Sequence, residues 1–431
     1  MVSADTPGGA RAVARCDALG VSPYSDIPEG LFRGYLTPAY AAAQEAIAGW
    51  MIDAGMTVRI DAAANLIGHY KGGIGFGVPA LLIASHIDSV RDAGRYDGPL
   101  GVMLGIEAVA ALNATGCRLD FPIEVIAFGD EEGSRFPASM LTSRAVAGTL
   151  DPAALAVADR DGVTLDEALV AYQQLVAGWQ SKREDEPAFS GITDFRMAGR
   201  TSALAYLEAH IEQGPVLEAE GLALGIVTGI AAQLRYQVEV RGMAGHAGTT
   251  TMKLRRDALA AAAEAVLAVE RVARDQASDL VATVGRLAVA PGAPNVIPGR
   301  VDFTIDVRSG DQGVRDKAAK TILAELDAIA ARRGVSISAE QVQDLAASPC
   351  DSDLTDWLAD AVAAEGLPVR RLVSGAGHDA MVMAALCPTA MLFIRCAGGI
   401  SHNPAEHVDP ADADVALKAM LGFIDRLGEN V

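Results

Sequence analysis

Two short segments of this chain combine histidine with carboxylates directly after apolar runs. The run at 80–85 leads into His-Ile-Asp at 86–88, and Asp97 follows soon after it. The run at 123–128 leads, after one glycine, into Asp-Glu-Glu at 130–132. Carboxylates gathered in one place repel each other unless a positive charge lies between them. We therefore interpret the two segments as parts of a metal site.

The positions of these segments depend on the elements that precede them. Both apolar runs are short, rich in β-branched residues and bounded by glycine or polar residues, which is typical of buried strands. Strand-like and helix-like runs alternate between residues 38 and 150, and this alternation favours an α/β fold. In open α/β sheets, ligands bind at the carboxyl ends of the strands. The segments at 86–88 and 130–132 should therefore meet at one sheet edge.

A second pattern interrupts the first. Runs at 222–230 and 234–241 are interpreted as paired strands, and the order β-β-α-β-β-α-β continues to about residue 339, which predicts a small α+β unit. The α/β pattern then resumes with a helix at 354–365 and an apolar run at 389–394. We therefore expect one domain to be inserted into another.

Charge and cysteine content limit the partners and the compartment. The chain has 431 residues and a net charge of −20, which disfavours nucleic acid and anionic membranes as partners. No apolar run is long enough to span a bilayer, and no secretory signal is visible. The five cysteines are scattered and lack C-x-x-C spacing, which indicates a reducing compartment. We expect a cytoplasmic protein with no membrane partner.

Three histidines have contexts that suit a metal ligand. His86, His210 and His402, together with Asp97 and Glu132, form a nitrogen and oxygen set that suits zinc, manganese or cobalt. The alternative is that each histidine is an ordinary core or surface residue.

The remaining acidic residues of the two segments suggest supporting roles. Asp88, two residues beyond His86 on a strand, lies on the same side and can orient the imidazole. Glu131 and Glu132 are adjacent, so at a turn one can bind metal while the other accepts a proton. The alternative for this pair is an exposed acidic loop. Competing motifs are weak, since the glycine-rich stretch at 72–77 precedes a strand and no P-loop, G-x-S-x-G or H-E-x-x-H occurs.

Eight motifs in one order carry a resemblance to a known family. They are His-Ile-Asp-Ser-Val (86–90), Tyr-Asp-Gly-Pro-Leu-Gly-Val (96–102), Asp-Glu-Glu-Gly-Ser-Arg-Phe (130–136), His-Ile-Glu-Gln-Gly-Pro-Val-Leu-Glu (210–218), Gly-His-Ala-Gly-Thr-Thr (245–250), Pro-Asn-Val-Ile-Pro-Gly (294–299), Gly-Ala-Gly-His-Asp-Ala (375–380) and Ser-His-Asn-Pro-Ala-Glu (401–406). The chain thereby resembles the hydantoinase/carbamoylase amidase branch of the metallopeptidases that include aminoacylase and glutamate carboxypeptidase. That branch contains N-carbamoyl-L-amino-acid hydrolases, β-ureidopropionase and allantoate amidohydrolase.

The resemblance implies an architecture and a two-metal site. It implies a catalytic domain with a central, mainly parallel sheet (residues 1–212 and 329–431) and an inserted ferredoxin-like α+β lid that also forms a homodimer (213–328). The implied ligands of two divalent ions (Zn²⁺, Mn²⁺, Co²⁺ or Ni²⁺) are His86, Asp97, Glu132, His210 and His402, with Asp97 bridging.

The resemblance also implies catalytic and substrate-binding residues. Glu131 falls on the general base, and His246 on a residue that stabilises the developing oxyanion, often across the dimer. The substrate-binding positions are Gln213, Asn295, Arg308, Gly377 and His378. From residue type alone, Arg308 is equally a surface arginine, His246 a turn residue and His378 a helix cap.

The implied reaction is hydrolysis of the carbamoyl C–N bond of a small ureido carboxylate by a hydroxide held between the two metals. Two alternatives in the same site are an allantoate-like diureide and an N-acyl amino acid or dipeptide. An alternative of another class is a non-catalytic protein that binds a small carboxylate. The chain departs from the family at Thr251, where proline is usual, and in a long connection at 173–204.

Overall fold

A computed structural model describes residues 6–73, 78–180, 198–276 and 279–430 of the chain. Within these ranges the α-helices are α1 (Gly9–Leu19), α2 (Pro38–Asp53), α3 (Pro99–Ala114), α4 (Leu141–Val146), α5 (Leu165–Gln180), α6 (Val216–Glu220), α7 (Ala258–Arg274), α8 (Gln312–Arg333), α9 (Ser352–Ala364), α10 (Asp379–Met383) and α11 (Pro410–Glu429).

The strands of the same described ranges are β1 (Thr57–Ile60), β2 (Leu66–Tyr70), β3 (Leu81–His86), β4 (Ile123–Phe128), β5 (Ala205–Ile211), β6 (Leu224–Ile230), β7 (Ala232–Arg241), β8 (Gly245–His246), β9 (Val281–Thr283), β10 (Leu287–Ala290), β11 (Val296–Ile297), β12 (Arg300–Ser309), β13 (Ser336–Leu345), β14 (Ser348–Pro349), β15 (Arg371–Ser374) and β16 (Thr389–Ile394). Two compact units contain these elements. The first comprises Met1–Thr228, Cys350–Leu372 and His378–Val431, and the second comprises Gly229–Pro349 and Val373–Gly377.

The first unit is built on a sheet with the order β1-β2-β4-β3-β5-β16-β6. Its four central strands, β4, β3, β5 and β16, run parallel to one another, and the flanking strands pair antiparallel. Every residue of these four strands is buried, as expected for parallel strands covered on both faces. The predicted α/β class with a parallel centre is confirmed. The four carboxyl ends lie at one edge of the sheet.

Local signals explain where several helices begin and end. The Thr37 hydroxyl accepts a hydrogen bond from the Tyr40 amide at the start of α2. Asp351 and Asp311 cap α9 and α8 by the same kind of bond, and α8 ends at Gly334 with a φ of 66°. Such caps satisfy backbone groups that have no partner within the helix. Such caps can be recognised in the sequence, and the helix predicted at 354–365 is close to the observed α9.

Arg33 anchors the segment between α1 and α2, which had no assigned structure from sequence. Its side chain is fully buried, and burial lowers its pKa to about 10. Nε donates to the carbonyl of Ile87 at 2.5 Å, and Nη1 donates to the carbonyls of Leu19 (3.0 Å) and Tyr24 (3.1 Å). Ile87 directly follows His86, so Arg33 ties the N-terminal segment to the end of β3.

The second unit is a five-stranded antiparallel sheet, β10-β12-β7-β13 with β9 on β12, covered on one face by α7 and α8. Burial alternates along β12, so that Val301, Phe303, Ile305 and Val307 are fully or almost fully buried in the core. The alternate positions of β7 and β12 are mostly charged and less buried. One apolar and one polar face is the usual pattern of an antiparallel sheet.

The prediction that residues 222–230 pair with 234–241 is wrong. β6 pairs with β16 in the large sheet, whereas β7 pairs with β12 and β13 in the second unit. Only Ala231 separates β6 from β7, and a hairpin needs at least two loop residues to reverse the chain. β6 and β7 therefore extend into different sheets.

The limits of the compact units also differ from the division at 213 and 328. β6 stays with the first unit's sheet, and β13 joins the second unit because it pairs with β7 along its length. A lid role for the second unit remains a prediction. Parts of the connection at 173–204 and of the glycine-rich stretch at 72–77 lie outside the described residues. Across the part of the chain that is described, no helix combines the length and apolar character needed to cross a bilayer.

Replacing Arg33 with methionine should lower the free energy of unfolding by about 3 kcal/mol, because two buried carbonyls and one partly buried carbonyl would lose their donor. Urea denaturation followed by far-UV circular dichroism would measure the change. Arg160→Met is the matched control, since the Arg160 side chain is 77% exposed and pairs with the exposed Asp161. Equal stability of the two variants would contradict an anchoring role for Arg33.

Candidate metal centre

Four parallel strand ends bring the predicted ligands to one edge of the first unit. His86 is the last residue of β3, and His210 is the last but one of β5. Glu131 and Glu132 follow β4, and His402 lies in the loop that follows β16. Because these strands are parallel neighbours, residues far apart in sequence meet at their carboxyl ends.

The two buried histidines are held with one ring nitrogen facing Asp97. Nδ1 of His86 lies 3.2 Å from the carbonyl of Asp88, and Nδ1 of His210 lies 2.9 Å from the carbonyl of Ile211. A carbonyl only accepts, so each Nδ1 carries the proton and Nε2 is left with its lone pair. Nε2 of His210 lies 3.2 Å and Nε2 of His86 lies 3.8 Å from Oδ1 of Asp97. This is the orientation that metal-binding imidazoles adopt.

Asp97 lies at the centre of the group. Its Oδ2 is 3.3 Å from Nε2 of His402 and accepts hydrogen bonds from Ser401 Oγ (2.6 Å) and Gln213 Nε2 (2.8 Å). Oδ1, on the other side of the carboxylate, faces the two buried histidines. Ser401 was not singled out from sequence, although it begins the Ser-His-Asn-Pro-Ala-Glu motif. The carboxylate of Asp97 thus faces the two buried histidines with one oxygen and His402 with the other.

Gly98 allows the loop that carries Asp97 to lie close to the ring of His86. It has a φ of +86°, and a Cβ at this position would lie 2.5 Å from the ring of His86. A side chain here would displace either the imidazole or the loop that holds Asp97. Glycine is therefore required both by the backbone conformation and by the space.

The acidic pair meets different histidines across a turn. Asp130 has a φ of +58° and begins the turn. Glu131 Oε2 lies 4.0 Å from Nε2 of His86, and Glu132 Oε1 lies 3.5 Å from Nε2 of His402. The backbone amides of Glu131 and Glu132 donate to the carboxylate of Asp88 at 3.2 and 3.3 Å. Asp88 therefore supports both the His86 segment and the turn.

The crowding of negative charge shows in the pKa values. Burial, with Asp97 nearby, raises the pKa of Glu132 to about 8, and burial together with Asp379 raises that of Glu131 well above its usual value. Burial alone would lower the pKa of His210, but the carboxylate of Asp97 outweighs it and raises the value to about 9. Without added positive charge, this site must take up protons to neutralise itself.

The residues fit a divalent cation. Three overlapping groups have ligand atoms within 4.8 Å of one another: His86, Asp97 and His210; His86, Glu131 and Glu132; and Asp97, Glu132 and His402. Asp97 Oδ1 and His210 Nε2 are buried and lack a hydrogen-bond partner among the described residues, although they face each other. Buried polar atoms of this kind need a partner, and a cation would satisfy both. Because Glu131 also belongs to one group, the division of roles within the acidic pair remains a proposal.

A fourth group, formed by Glu208, His210 and His378, fits a cation less well. The Glu208 carboxylate already accepts hydrogen bonds from Ser85 Oγ, Tyr206 Oη and the Ala380 amide at 3.0 to 3.1 Å. His378 is buried and stacks edge-on against His210, with ring centroids 4.4 Å apart. We interpret Glu208 as structural support beneath the site.

Four predicted site residues lie in the second unit: His246, Asn295, Arg308 and Gly377. β8 pairs with β11, which sets His246 opposite Val296, and the Ala247 amide donates to the carbonyl of Asn295 at 2.9 Å. The side chains of His246 and Asn295 are exposed and lie on one short ladder. The sequence alone gave no reason to expect these two residues to be neighbours.

Arg308 lies on β12, in the same unit, with a guanidinium that is held in place. Asp306 accepts from its Nε (2.7 Å) and Nη2 (3.1 Å), and the Gly375 carbonyl accepts from Nη1 at 2.5 Å. Three of its five N–H donors are thus engaged, which leaves two for another acceptor. Gly377 and His378 follow Gly375 in the loop that precedes α10.

Comparison with known proteins places the chain in a family. The family model for peptidase family M20/M25/M40 matches residues 82–426, most of the chain. The chain belongs to this family. The match begins within β3 and ends within α11, so it includes all five proposed ligands of the first unit.

Individual members of the M20/M25/M40 family are similar over nearly the whole chain. A probable allantoate deiminase from Oryza sativa subsp. japonica is 41% identical, covering 92% of this chain and 84% of that protein. An N-carbamoyl-L-amino acid amidohydrolase from Geobacillus stearothermophilus is 40% identical, covering 93% and 94%. The crystal structure of a hydantoinase/carbamoylase family amidase from Burkholderia multivorans has a TM-score of 0.87 at 34% identity and covers 100% of both chains.

Divalent cations should stabilise the chelator-treated protein against thermal unfolding. At a concentration 100 times the dissociation constant, binding to the folded state alone contributes about 2.7 kcal/mol. Asp97→Asn should abolish most of the cation-dependent shift, because the central carboxylate loses its charge. Asp302→Asn removes a carboxylate of the second unit instead, and this variant should keep the cation-dependent shift in melting temperature. Differential scanning calorimetry with and without Mn²⁺ or Zn²⁺ tests this, and an unchanged melting temperature of the unsubstituted protein would contradict a cation site.

Proposed function

We propose that this chain is a two-metal amidohydrolase that cleaves the carbamoyl C–N bond of an N-carbamoyl amino acid or a similar small ureido carboxylate. The observation that carries the proposal is the sharing of Asp97 between two histidine and carboxylate groups at the sheet edge. Membership of the M20/M25/M40 family and a 40% identical N-carbamoyl-L-amino acid amidohydrolase support it. The expected products are the amino acid, ammonia and carbon dioxide.

The proposed ligands are the five residues that meet at the strand ends: His86, Asp97, Glu132, His210 and His402. Bound divalent cations polarise a scissile carbonyl and lower the pKa of water, which is the chemistry that amide hydrolysis at neutral pH requires. The nitrogen and oxygen donor set accepts Zn²⁺, Mn²⁺, Co²⁺ or Ni²⁺. Asp88 keeps its proposed role of orienting His86 and the turn of the acidic pair.

Glu131 is the proposed general base. Its carboxylate is buried beside the ligands, with Oε2 4.0 Å from Nε2 of His86. In that position it would take a proton from the attacking water and deliver it to the leaving nitrogen. His246 is the proposed donor to the developing oxyanion, from the same chain or from a partner in a homodimer. Its exposed ring leaves it available for that contact.

A substrate carboxylate needs a local cation on a chain of net charge −20. Arg308 is the proposed cation, since Asp306 and Gly375 hold its guanidinium and leave two donors. Asn295, Gly377 and His378 complete the proposed contacts. Gln213 joins them with a buried Oε1 that has no hydrogen-bond partner among the described residues and suits a ureido N–H.

Allantoate is the second candidate substrate, because the relative that is 41% identical is a probable allantoate deiminase. Allantoate carries two ureido groups on one carbon beside a carboxylate. It would therefore use the same ligands, base and carboxylate contacts. The two candidate substrates differ in the group beside the reacting ureido group, which is a second ureido group in allantoate and a side chain in an N-carbamoyl amino acid.

Protein reconstituted in turn with Mn²⁺, Zn²⁺, Co²⁺ and Ni²⁺ should release ammonia from at least one ureido carboxylate. The panel should contain N-carbamoyl amino acids, allantoate, N-acyl amino acids and dipeptides, with ammonia and free amine measured separately. Preference for allantoate would select the second candidate. A protein that binds these carboxylates without turning over any of them would be a binding protein, and the enzyme proposal would fail.

Glu131→Gln and Glu132→Gln should have different effects. Loss of a general base lowers kcat by roughly 10²- to 10⁴-fold, so Glu131→Gln should lose turnover and keep about two metals per chain. Glu132→Gln should instead lose bound metal, measured by inductively coupled plasma mass spectrometry. The opposite pattern would show that the roles of the two glutamates are reversed.

A further inference from the structure

Glu406 is a buried carboxylate that none of the roles above includes. It ends the Ser-His-Asn-Pro-Ala-Glu motif, four residues after His402, and is 5% exposed. Its Oε1 accepts hydrogen bonds from the backbone amides of Tyr96 (2.7 Å) and Asp97 (3.1 Å). Oε2 has no hydrogen-bond partner among the described residues, so Oε1 makes both contacts.

The loop of Asp97 leaves room for this carboxylate. A Cβ on Gly94 would lie 2.2 Å from Cδ of Glu406 and 2.3 Å from its Oε1. No side chain fits at such a distance, so the close approach of Glu406 depends on glycine at position 94. The Glu406 carboxyl group therefore lies directly against the backbone that leads into Asp97.

The His402 loop contacts Asp97 at two points. Ser401 Oγ donates to the Asp97 carboxylate at 2.6 Å, and Glu406 accepts from the Asp97 amide. A turn joins these two points within the loop, since the Glu406 amide donates to the Asn403 carbonyl at 3.0 Å. One loop thus contacts both the side chain and the backbone of Asp97, and also carries His402.

We propose that Glu406 is a positioning residue that sets the distance between Asp97 and His402 and thereby the affinity of the site for divalent cations. This inference rests on the proposed function, because it takes Asp97 and His402 as ligands. Cation coordination needs ligand atoms at defined distances, and Asp97 and His402 are about 300 residues apart in the chain. Two backbone amides share one buried oxygen of Glu406, and both amides would lose their acceptor if that oxygen were removed.

Metal titration of the chelator-treated full chain tests this without any substrate. Co²⁺ binding, followed by visible absorption and by isothermal titration calorimetry, should be about 10- to 100-fold weaker in Glu406→Ala, the usual effect of losing a group that supports a metal ligand. The absorption spectrum of the bound Co²⁺ should also change, because the ligand geometry at Asp97 relaxes.

Three further variants separate positioning from other effects. Glu406→Gln keeps an oxygen acceptor for both amides and should bind Co²⁺ within about threefold of the unsubstituted protein. Gly94→Ala keeps Glu406 but displaces its carboxyl group, and should weaken binding as Glu406→Ala does. Asp351→Ala is the stability control, since Asp351 also accepts from two backbone amides, those of Asp353 and Leu354, but contacts none of the proposed ligands. It should lose stability and keep its Co²⁺ affinity.

The outcomes distinguish this inference from the proposed function. Absence of Co²⁺ binding to the unsubstituted chain would reject the metal site itself. Normal binding by Glu406→Ala or Gly94→Ala, with binding by the unsubstituted chain intact, would reject the positioning role alone. Equal losses in Glu406→Gln and Glu406→Ala would also reject it, because the charge rather than the hydrogen bonds would then be responsible. If Glu406→Ala does not fold, the Co²⁺ affinities of Glu406→Gln and Gly94→Ala test the positioning role of Glu406.

Discussion

The concentration of negative charge around Asp97 is the constraint on which the architecture of the first unit depends. Asp88, Asp97, Glu131 and the fully buried Asp379 are all largely removed from water, and burial raises the pKa of three of them. Such a group is unfavourable unless cations or hydrogen-bond donors compensate it. The histidines at the strand ends, the backbone amides of the acidic turn and the proposed cations each supply part of that compensation.

The strands and loops around the site hold its carboxylates and histidines in defined positions. Four buried parallel strands end at one edge, and backbone carbonyls orient the rings of His86 and His210. Gly98 and Gly94 permit close approaches that any side chain would block. The ligand loops are further tied by Ser401 and Glu406, and the N-terminal segment is tied to the end of β3 by Arg33. Polar groups at the sheet edge are thereby held by hydrogen bonds to backbone and side-chain groups.

Local sequence patterns predicted much of the fold. The errors concern contacts between residues that are far apart in the chain. The buried strands at 81–86, 123–128 and 389–394 are continuous apolar runs, and the capped helices carry Thr, Asp or Gly at their ends. The pairing of 222–230 with 234–241 was wrong because adjacency in sequence was read as pairing in space. Helix α1 had no prediction from sequence, and its support comes from elements far along the chain, including α3 and α11.

The sequence by itself determined which chemical groups could form the site. Histidines and carboxylates at the ends of apolar runs define a nitrogen and oxygen donor set, and their order along the chain carried the family resemblance. The tertiary structure alone decided which of them touch. It placed Asp97 between three histidines, gave Glu131 and Glu132 different neighbours, and brought Ser401 and Glu406 against Asp97. A hydrogen bond between residues 309 positions apart leaves no periodic trace in sequence, because it depends on how strands and loops are assembled rather than on local spacing.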